Sequence, residues 1–321
     1  MNFKPILIVA GEPNSIFLEI FFKSLKSNNY KKPLILIASL KLLKLQMKKL
    51  NYKKKIKILK IDKLKEYKLN NQSINLIDIE YSQRKPFTKL SKKSNNYIES
   101  SFDMAIRLIK NGFSEKLING PISKKSFLNS KYLGITEYLA QKFNAKSNAM
   151  LIYNEKMSVC PVTTHLPLKL VVKKINQKII SDKVKLVNDF YLKKFSYKPK
   201  IAILGINPHC ESILKYNEDE KLIKPLVKKL IKSKYNISGP FSADTIFLKT
   251  NRSKYDVIIG MYHDQVLTPM KTVFEYEAIN ITLGLPFLRI SPDHGPNVSM
   301  IGKNISSPVS LIKALKFMDN N

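Results

Sequence analysis

The segment PILIVAGEPNS, residues 5–15, decides the fold class. Residues 6–10 are uninterrupted apolar side chains, and Gly11, Glu12, Pro13, Asn14 and Ser15 behind them are turn formers. A short apolar run closed by turn residues reads as a strand buried on both faces. Working outward, a helix is predicted over roughly 15–27, a second strand over 34–38, a lysine-rich helix to about 50 and a third strand over 56–61. Strands alternating with helices imply an α/β fold with a largely parallel sheet. Residues 62–95 are polar and irregular and yield no element. Beyond them a helix is predicted over 96–110, stopped by Asn111-Gly112. Strands follow over 116–118, 149–153, 158–162, 200–204, 257–260 and 278–283, with helices near 174–195, 218–234 and 308–319. The chain has 321 residues. At roughly 150 residues per domain, that is two domains, and the segment NGPISK, residues 119–124, marks a boundary between them.

Composition narrows the classes. Hydrophobic residues make up 44%, which supports a core and argues against disorder. No apolar run approaches the ~18 residues of a membrane span, and the N-terminus carries no signal-peptide pattern. A cytoplasmic protein is expected. Cys160 and Cys210 are too few for a disulfide framework and read as reduced thiols, with Cys210, beside His209, as an alternative secondary metal ligand. The formal net charge is +32. Of 56 basic residues only Arg84, Arg107, Arg252 and Arg289 are arginine, so the rest are lysine. The lysines are spread over the whole chain and no nucleic-acid module is recognisable, so the charge reads as coding bias rather than as a nucleic-acid site. A positive field still favours anionic, phosphorylated ligands.

Four histidines occur: His165, His209, His263 and His294. His165 follows the strand at 158–162, His209 the strand at 200–204 and His263 the strand at 257–260. Ligands of open α/β sheets bind beyond the carboxyl ends of strands, so these three could converge on one site. Three neutral imidazoles suit a borderline divalent ion with positions left for substrate. Loop histidines that only form hydrogen bonds are the competing explanation. Asp244, Asp264 and Asp293 lie near by in sequence as ligand, base or orienting groups. Asp244, ahead of an apolar run, reads equally well as a helix cap. Arg289 survives in a chain that otherwise uses lysine, which suggests a need for its planar fork. Lys271 and Asn280 lie on the approach to it, around the strand at 278–283. No GxGxxG, Walker A or GxSxG pattern is present.

The segments AGEP, NGPISK, TEYLA, VTTHLPL, NPH, GP-x-x-ADT, MYHDQ, N-x-TLGLPF-x-R and DHG occur in that order between residues 10 and 295. In this the chain resembles the 4-hydroxythreonine-4-phosphate dehydrogenases over nearly its whole length. The resemblance implies an isocitrate/isopropylmalate dehydrogenase-like fold: two α/β/α domains with a cleft between them. The outer domain would comprise 1–125 plus about 292–321. The second, about 126–291, would carry the metal ligands and the dimer interface. The resemblance implies a homodimer with its active site at the subunit interface. His165, His209 and His263 would bind a divalent ion (zinc, magnesium or cobalt), with ligands drawn from both subunits. Thr136, Lys271, Asn280 and Arg289 would bind substrate. Asp244 and Lys271 would take catalytic roles. Asp293, His294 and Gly295 would face NAD, with NADP an alternative. The implied reaction is oxidation and decarboxylation of 4-phosphooxy-L-threonine in pyridoxal phosphate biosynthesis.

Three departures from the family pattern stand out. Ile135 replaces a substrate-contacting histidine before Thr136. The first turn runs AGEPNSIFLEI instead of carrying Ala-Gly-Ile-Gly-Pro-Glu. Pro296 and Asn297 replace Thr-Ala after DHG, and a proline removes a backbone donor. These departures motivate a paralogue acting on another phosphorylated hydroxy acid, and, together with the charge, a non-catalytic basic binding protein.

Overall fold

The computed structural model describes residues 4–122, 134–212, 217–292 and 295–320. The chain divides into two compact units, residues 1–135 with 286–321, and residues 136–285. The crossings expected near 125 and 292 thus fall at 135 and 285. The second one moves because Leu288–Pro292 is a strand of the first unit, hydrogen-bonded to Lys116–Asn119.

The first unit is built on a fully parallel sheet. Its strands are β1 (Ile6–Val9), β2 (Leu34–Ala38), β3 (Ile56–Ile58), β4 (Ile74–Asp78) and β5 (Lys116–Asn119), joined late in the chain by β12 (Leu288–Pro292). The order is β3-β4-β2-β1-β5-β12. β1 and β2 are buried along their whole length, which is why both read as continuous apolar runs. The helix Asn95–Lys110 packs on β1 and β2, and Val309–Asp319 packs on β5 and β12. In the first of these, Tyr97, Ile98, Phe102, Ala105 and Ile109 recur at helical spacing and are buried. The stretch 62–95, expected to be irregular, contains β4. Its Asn75 is buried, and its amide donates to the carbonyls of Leu34 and Asn70.

The second unit holds β6 (Ala149–Tyr153), β7 (Ser158–Thr163), β8 (Ile201–Leu204), β9 (Ile237–Phe241), β10 (Val257–Tyr262) and β11 (Ile279–Leu283). The order is β11-β6-β7-β10-β8-β9. β7, β10, β8 and β9 run parallel, whereas β6 is antiparallel to both its neighbours. The helices Gln177–Phe195, Lys224–Lys232 and His263–Phe274 pack on this sheet. The helix expected near 174–195 is Gln177–Phe195, and a separate helix that the sequence reading did not predict, Leu168–Lys174, precedes it. Asn176 separates them by capping Gln177–Phe195: its side-chain oxygen accepts from the Ile179 N–H at 3.0 Å. Among the described residues no helix is long and apolar enough to cross a membrane.

Candidate active site

In the second unit three neighbouring parallel strands, β7, β10 and β8, end on the same edge of the sheet. Each delivers a histidine. His165 lies two residues past β7, His263 opens the helix that follows β10, and His209 sits in the turn Pro208–Cys210 after β8. The Thr163 hydroxyl donates to the Met261 carbonyl at 2.7 Å, bracing the exits of β7 and β10.

The structure brings two of the three together. The rings of His165 and His263 have centroids 5.8 Å apart. His263 Nδ1 lies 2.7 Å from the Asp264 carboxylate; with Nδ1–H donating there, the lone pair of the neutral ring sits on Nε2. His209 is highly exposed, and its Nδ1 lies 3.9 Å from Asp244 Oδ2. Among the described residues no group of three or more His, Cys, Asp or Glu side chains is arranged to hold a metal ion. Within one chain the donor set is therefore a pair of imidazoles with a carboxylate behind one of them, plus a third imidazole beside a second carboxylate. Those donors fit a borderline divalent ion in kind.

His209 (φ 53°) and Cys210 (φ 59°) are consecutive non-glycine residues in the left-handed region. Such backbone costs about 1–3 kcal/mol per residue and persists only where the surroundings over-determine it. Asp219, fully buried, accepts from the N–H groups of Ile206 (2.8 Å) and Asn207 (3.0 Å) and from the Asn207 amide. Burial pushes the Cys210 thiol up.

Asp244 is not the cap of its helix; Ser242 holds that position and Asp244 lies in the first turn of Ala243–Ile246. The Ser242 hydroxyl donates to Asp244, and this, with His209 alongside, holds the carboxyl below the usual range. A cavity of about 620 Å³ opens beside it, lined by Asp244, Tyr262, Asp264, Gln265 and Thr268 among others.

The expected substrate residues are distributed between the units. Thr136 and Asn280 belong to the second unit, where the Thr136 hydroxyl lies 3.4 Å from that of Thr282, on the same strand as Asn280. Among the described residues the buried Asn280 Oδ1 finds no hydrogen-bond partner, and its amide nitrogen donates to the Met150 thioether. A half-satisfied amide of this kind is suited to a polar ligand. Lys271 sits on the helix His263–Phe274, one element before Asn280. Arg289 is 1% exposed and belongs to the first unit, and its Nε donates to Asn119 Oδ1 at 2.8 Å.

Of the residues expected to face a nicotinamide cofactor, Asp293 and His294 lie outside the described residues. Gly295 is exposed, with open space where a side chain would stand. The two segments that depart from the family pattern meet in the first unit, where the Ile16 N–H donates to the Pro296 carbonyl. The sequence reading passed over Asp219, Gln265 and Glu12. Glu12 is buried in the turn after β1, and burial raises its carboxyl pKa. The available signal was an acidic residue in the first turn of the first apolar strand.

The fold and the site together define an α/β protein with imidazole and carboxylate groups gathered at the carboxyl ends of parallel strands. The chain belongs to the pyridoxal phosphate biosynthetic protein PdxA family, which it matches over residues 29–318. It is 37% identical to a 4-hydroxythreonine-4-phosphate dehydrogenase of Sulfurihydrogenibium sp. (strain YO3AOP1), over 97% of this chain and 96% of that one. It is 30% identical to a protein of Oceanobacillus iheyensis provisionally named D-threonate 4-phosphate dehydrogenase, over 98% of this chain and 97% of the other. Among solved structures, 4-hydroxythreonine-4-phosphate dehydrogenase from Klebsiella pneumoniae superposes with a TM-score of 0.83 at 27% identity, covering 98% of each chain. Isocitrate dehydrogenase from Methylococcus capsulatus shares the fold, with a TM-score of 0.51 at 11% identity over 97% of this chain and 84% of that one.

Proposed function

We propose that this chain is a cytoplasmic NAD-linked, divalent-metal-dependent dehydrogenase. It oxidises 4-phosphooxy-L-threonine and decarboxylates the product to 3-amino-2-oxopropyl phosphate. The observation that carries this reading is the delivery of His165, His263 and His209 by three adjacent parallel strands, with the first two rings 5.8 Å apart. Family membership supports the same reaction class. One chain gathers only part of the ligand set, so the working enzyme is a homodimer in which two copies complete it.

In this reading His165, His209 and His263 hold the ion, and the segment Asp293, His294 and Gly295 faces the nicotinamide. When bound, the ion supplies Lewis-acid stabilisation of charge on the substrate oxygen and NAD accepts the hydride. Asp264, fixed on His263 Nδ1, holds that ring in one tautomer. Asp244, held ionised by Ser242 and His209, accepts the proton of the secondary hydroxyl. The hydroxyl becomes a ketone β to the carboxylate, carbon dioxide departs, and protonation of the enolate gives the amino ketone. Lys271 contributes positive charge to the anionic substrate and donates an ammonium proton to the enolate carbon. The Thr136 hydroxyl and the open Asn280 oxygen orient polar groups of the substrate. Arg289 adds positive charge for the anionic substrate.

The test is NADH absorbance with 4-phosphooxy-L-threonine as substrate, before and after chelator treatment. Production that disappears with the chelator and returns with zinc, magnesium or cobalt is expected. Production unaffected by chelation, with full activity in His209→Ala, would overturn the metal assignment.

A second reading has its own observation. Ile135 stands beside Thr136 where the family resemblance leads one to expect histidine, and one relative carries the D-threonate 4-phosphate name. A phosphorylated hydroxy acid lacking the amino group would then be the substrate. Faster turnover of D-threonate 4-phosphate than of 4-phosphooxy-L-threonine would establish it.

A further inference from the structure

β8 and β10 pair through Val257↔Ile201, Ile258↔Ala202 and Ile259↔Ile203, and their register ends there. β10 continues beside β7 to Tyr262↔Thr163. The exit of β8 therefore parts from β10 just where the two chains leave for His209 and His263. Parting strands leave backbone groups without ladder partners, and buried ones must be satisfied some other way. Gln265, half-buried in the first turn of the helix His263–Phe274, satisfies them. Its Nε2 donates to the Gly205 carbonyl at 2.7 Å, and its Oε1 accepts from the Met261 N–H at 2.7 Å. A carboxamide carries one donor group and one acceptor, so it replaces a peptide unit across the gap. The orientation is forced, because the carbonyl can only accept and the N–H can only donate.

The surroundings are shaped for this bridge. A Cβ on Gly260 would stand 2.9 Å from Gln265 Oε1 and would also collide with Val266. A Cβ on Gly205 would stand 2.6 Å from Cys210 Sγ and 2.8 Å from Asp219 Oδ1. On the far side of Gly205, the Asp219 carboxylate holds the next two N–H groups. The loop that carries His209 is thus gripped at its root by Gln265 and Asp219, and Gln265 stands two residues from His263.

We propose that Gln265 is a positioning residue: its side chain sets the distance and orientation between the His209 loop and His263. This rests on the reading of those histidines as metal ligands. With four histidines in the chain, their imidazole resonances can be resolved one by one in protein labelled at histidine with ¹⁵N. The variant is Gln265→Met, which keeps the side-chain length and removes both hydrogen bonds. In metal-free protein the resonances of His209 and His263 are expected to shift together. Zn²⁺ affinity, measured calorimetrically on the same samples, is expected to fall roughly 10–100-fold, the usual effect of losing an outer-sphere partner. A thermal midpoint close to wild type would show that the fold is intact. Unchanged His209 and His263 resonances with wild-type Zn²⁺ affinity would overturn the proposal, as would shifted resonances without loss of affinity in a wild type that binds Zn²⁺. Should the wild type bind no Zn²⁺, the metal reading fails on its own, and the metal-free resonances alone decide whether Gln265 holds the two loops in register.

Discussion

At the scale of single residues, Asp244 and Arg289 show how context decides chemistry. Both are charged residues that the sequence marks as candidates. Asp244 is exposed, oriented by the Ser242 hydroxyl and set beside His209. Asp244→Asn is expected to lower kcat by roughly 10²–10⁴-fold with a much smaller change in KM, the signature of a lost proton acceptor. Steady-state kinetics on the folded variant would check this, and wild-type kcat would remove Asp244 from the proton transfer. Arg289 is buried and bonded to Asn119 at the end of β5. The argument from arginine retention singled out this residue. It could not find the partner, because Asn119 is remote in sequence and reaches Arg289 only through the pairing of β5 with β12.

At the scale of elements, the buried Asp219 carboxylate, together with Gln265, holds the root of the loop that follows β8. Asp219→Ala would leave the N–H groups of Ile206 and Asn207 without their acceptor, at about 1–3 kcal/mol for each one that remains buried. Denaturant unfolding should show a loss of at least about 2 kcal/mol. Zn²⁺ affinity should drop with it, because His209 follows in the same loop. A variant with wild-type stability would show that water replaces the carboxylate. The elements that escaped the sequence reading share a physical cause. β4 carries Asn75, a polar residue in a buried strand, satisfied by the Leu34 and Asn70 carbonyls. β9 contains Gly239 and Pro240, residues that weigh against a strand, and it is tolerated at the sheet edge where its register with β8 is irregular. β12 carries the charged Arg289, whose Nε donates to Asn119 at the end of the neighbouring strand β5. In each case a local signal was overridden by a partner remote in sequence.

At the scale of the whole molecule, the buried acids make an alkaline limit to stability. Burial pushes the Cys160 thiol and the Tyr153 phenol up to about 12, and also raises Tyr30, Tyr97 and Tyr191. In every case the fold favours the neutral form. Their contribution is fully present below the ordinary thiol and phenol values of about 8.5–10. It is lost progressively as pH rises from there towards 12, because the unfolded chain ionises first. The thermal midpoint is expected to be flat across neutral pH and to fall steadily above about pH 9. A midpoint that holds to pH 11 would show that these groups ionise in place. Cys160 should likewise resist thiol reagents at neutral pH until the protein is unfolded.

The sequence by itself determined the strand–helix alternation, the buried strands β1, β2, β6 and β7, and the three histidines at strand ends. These are local properties: apolar run length, turn residues and the order of short segments fix them without knowledge of any partner. Only the tertiary structure decided which strands are neighbours. That choice brings His165 to within 5.8 Å of His263, sets His209 beside Asp244, buries Arg289 against Asn119 and lets the Gln265 amide bridge β8 and β10. The physical reason is that each of these meetings joins residues from separate strands, and separation along the chain carries no information about which backbone edges will share a ladder.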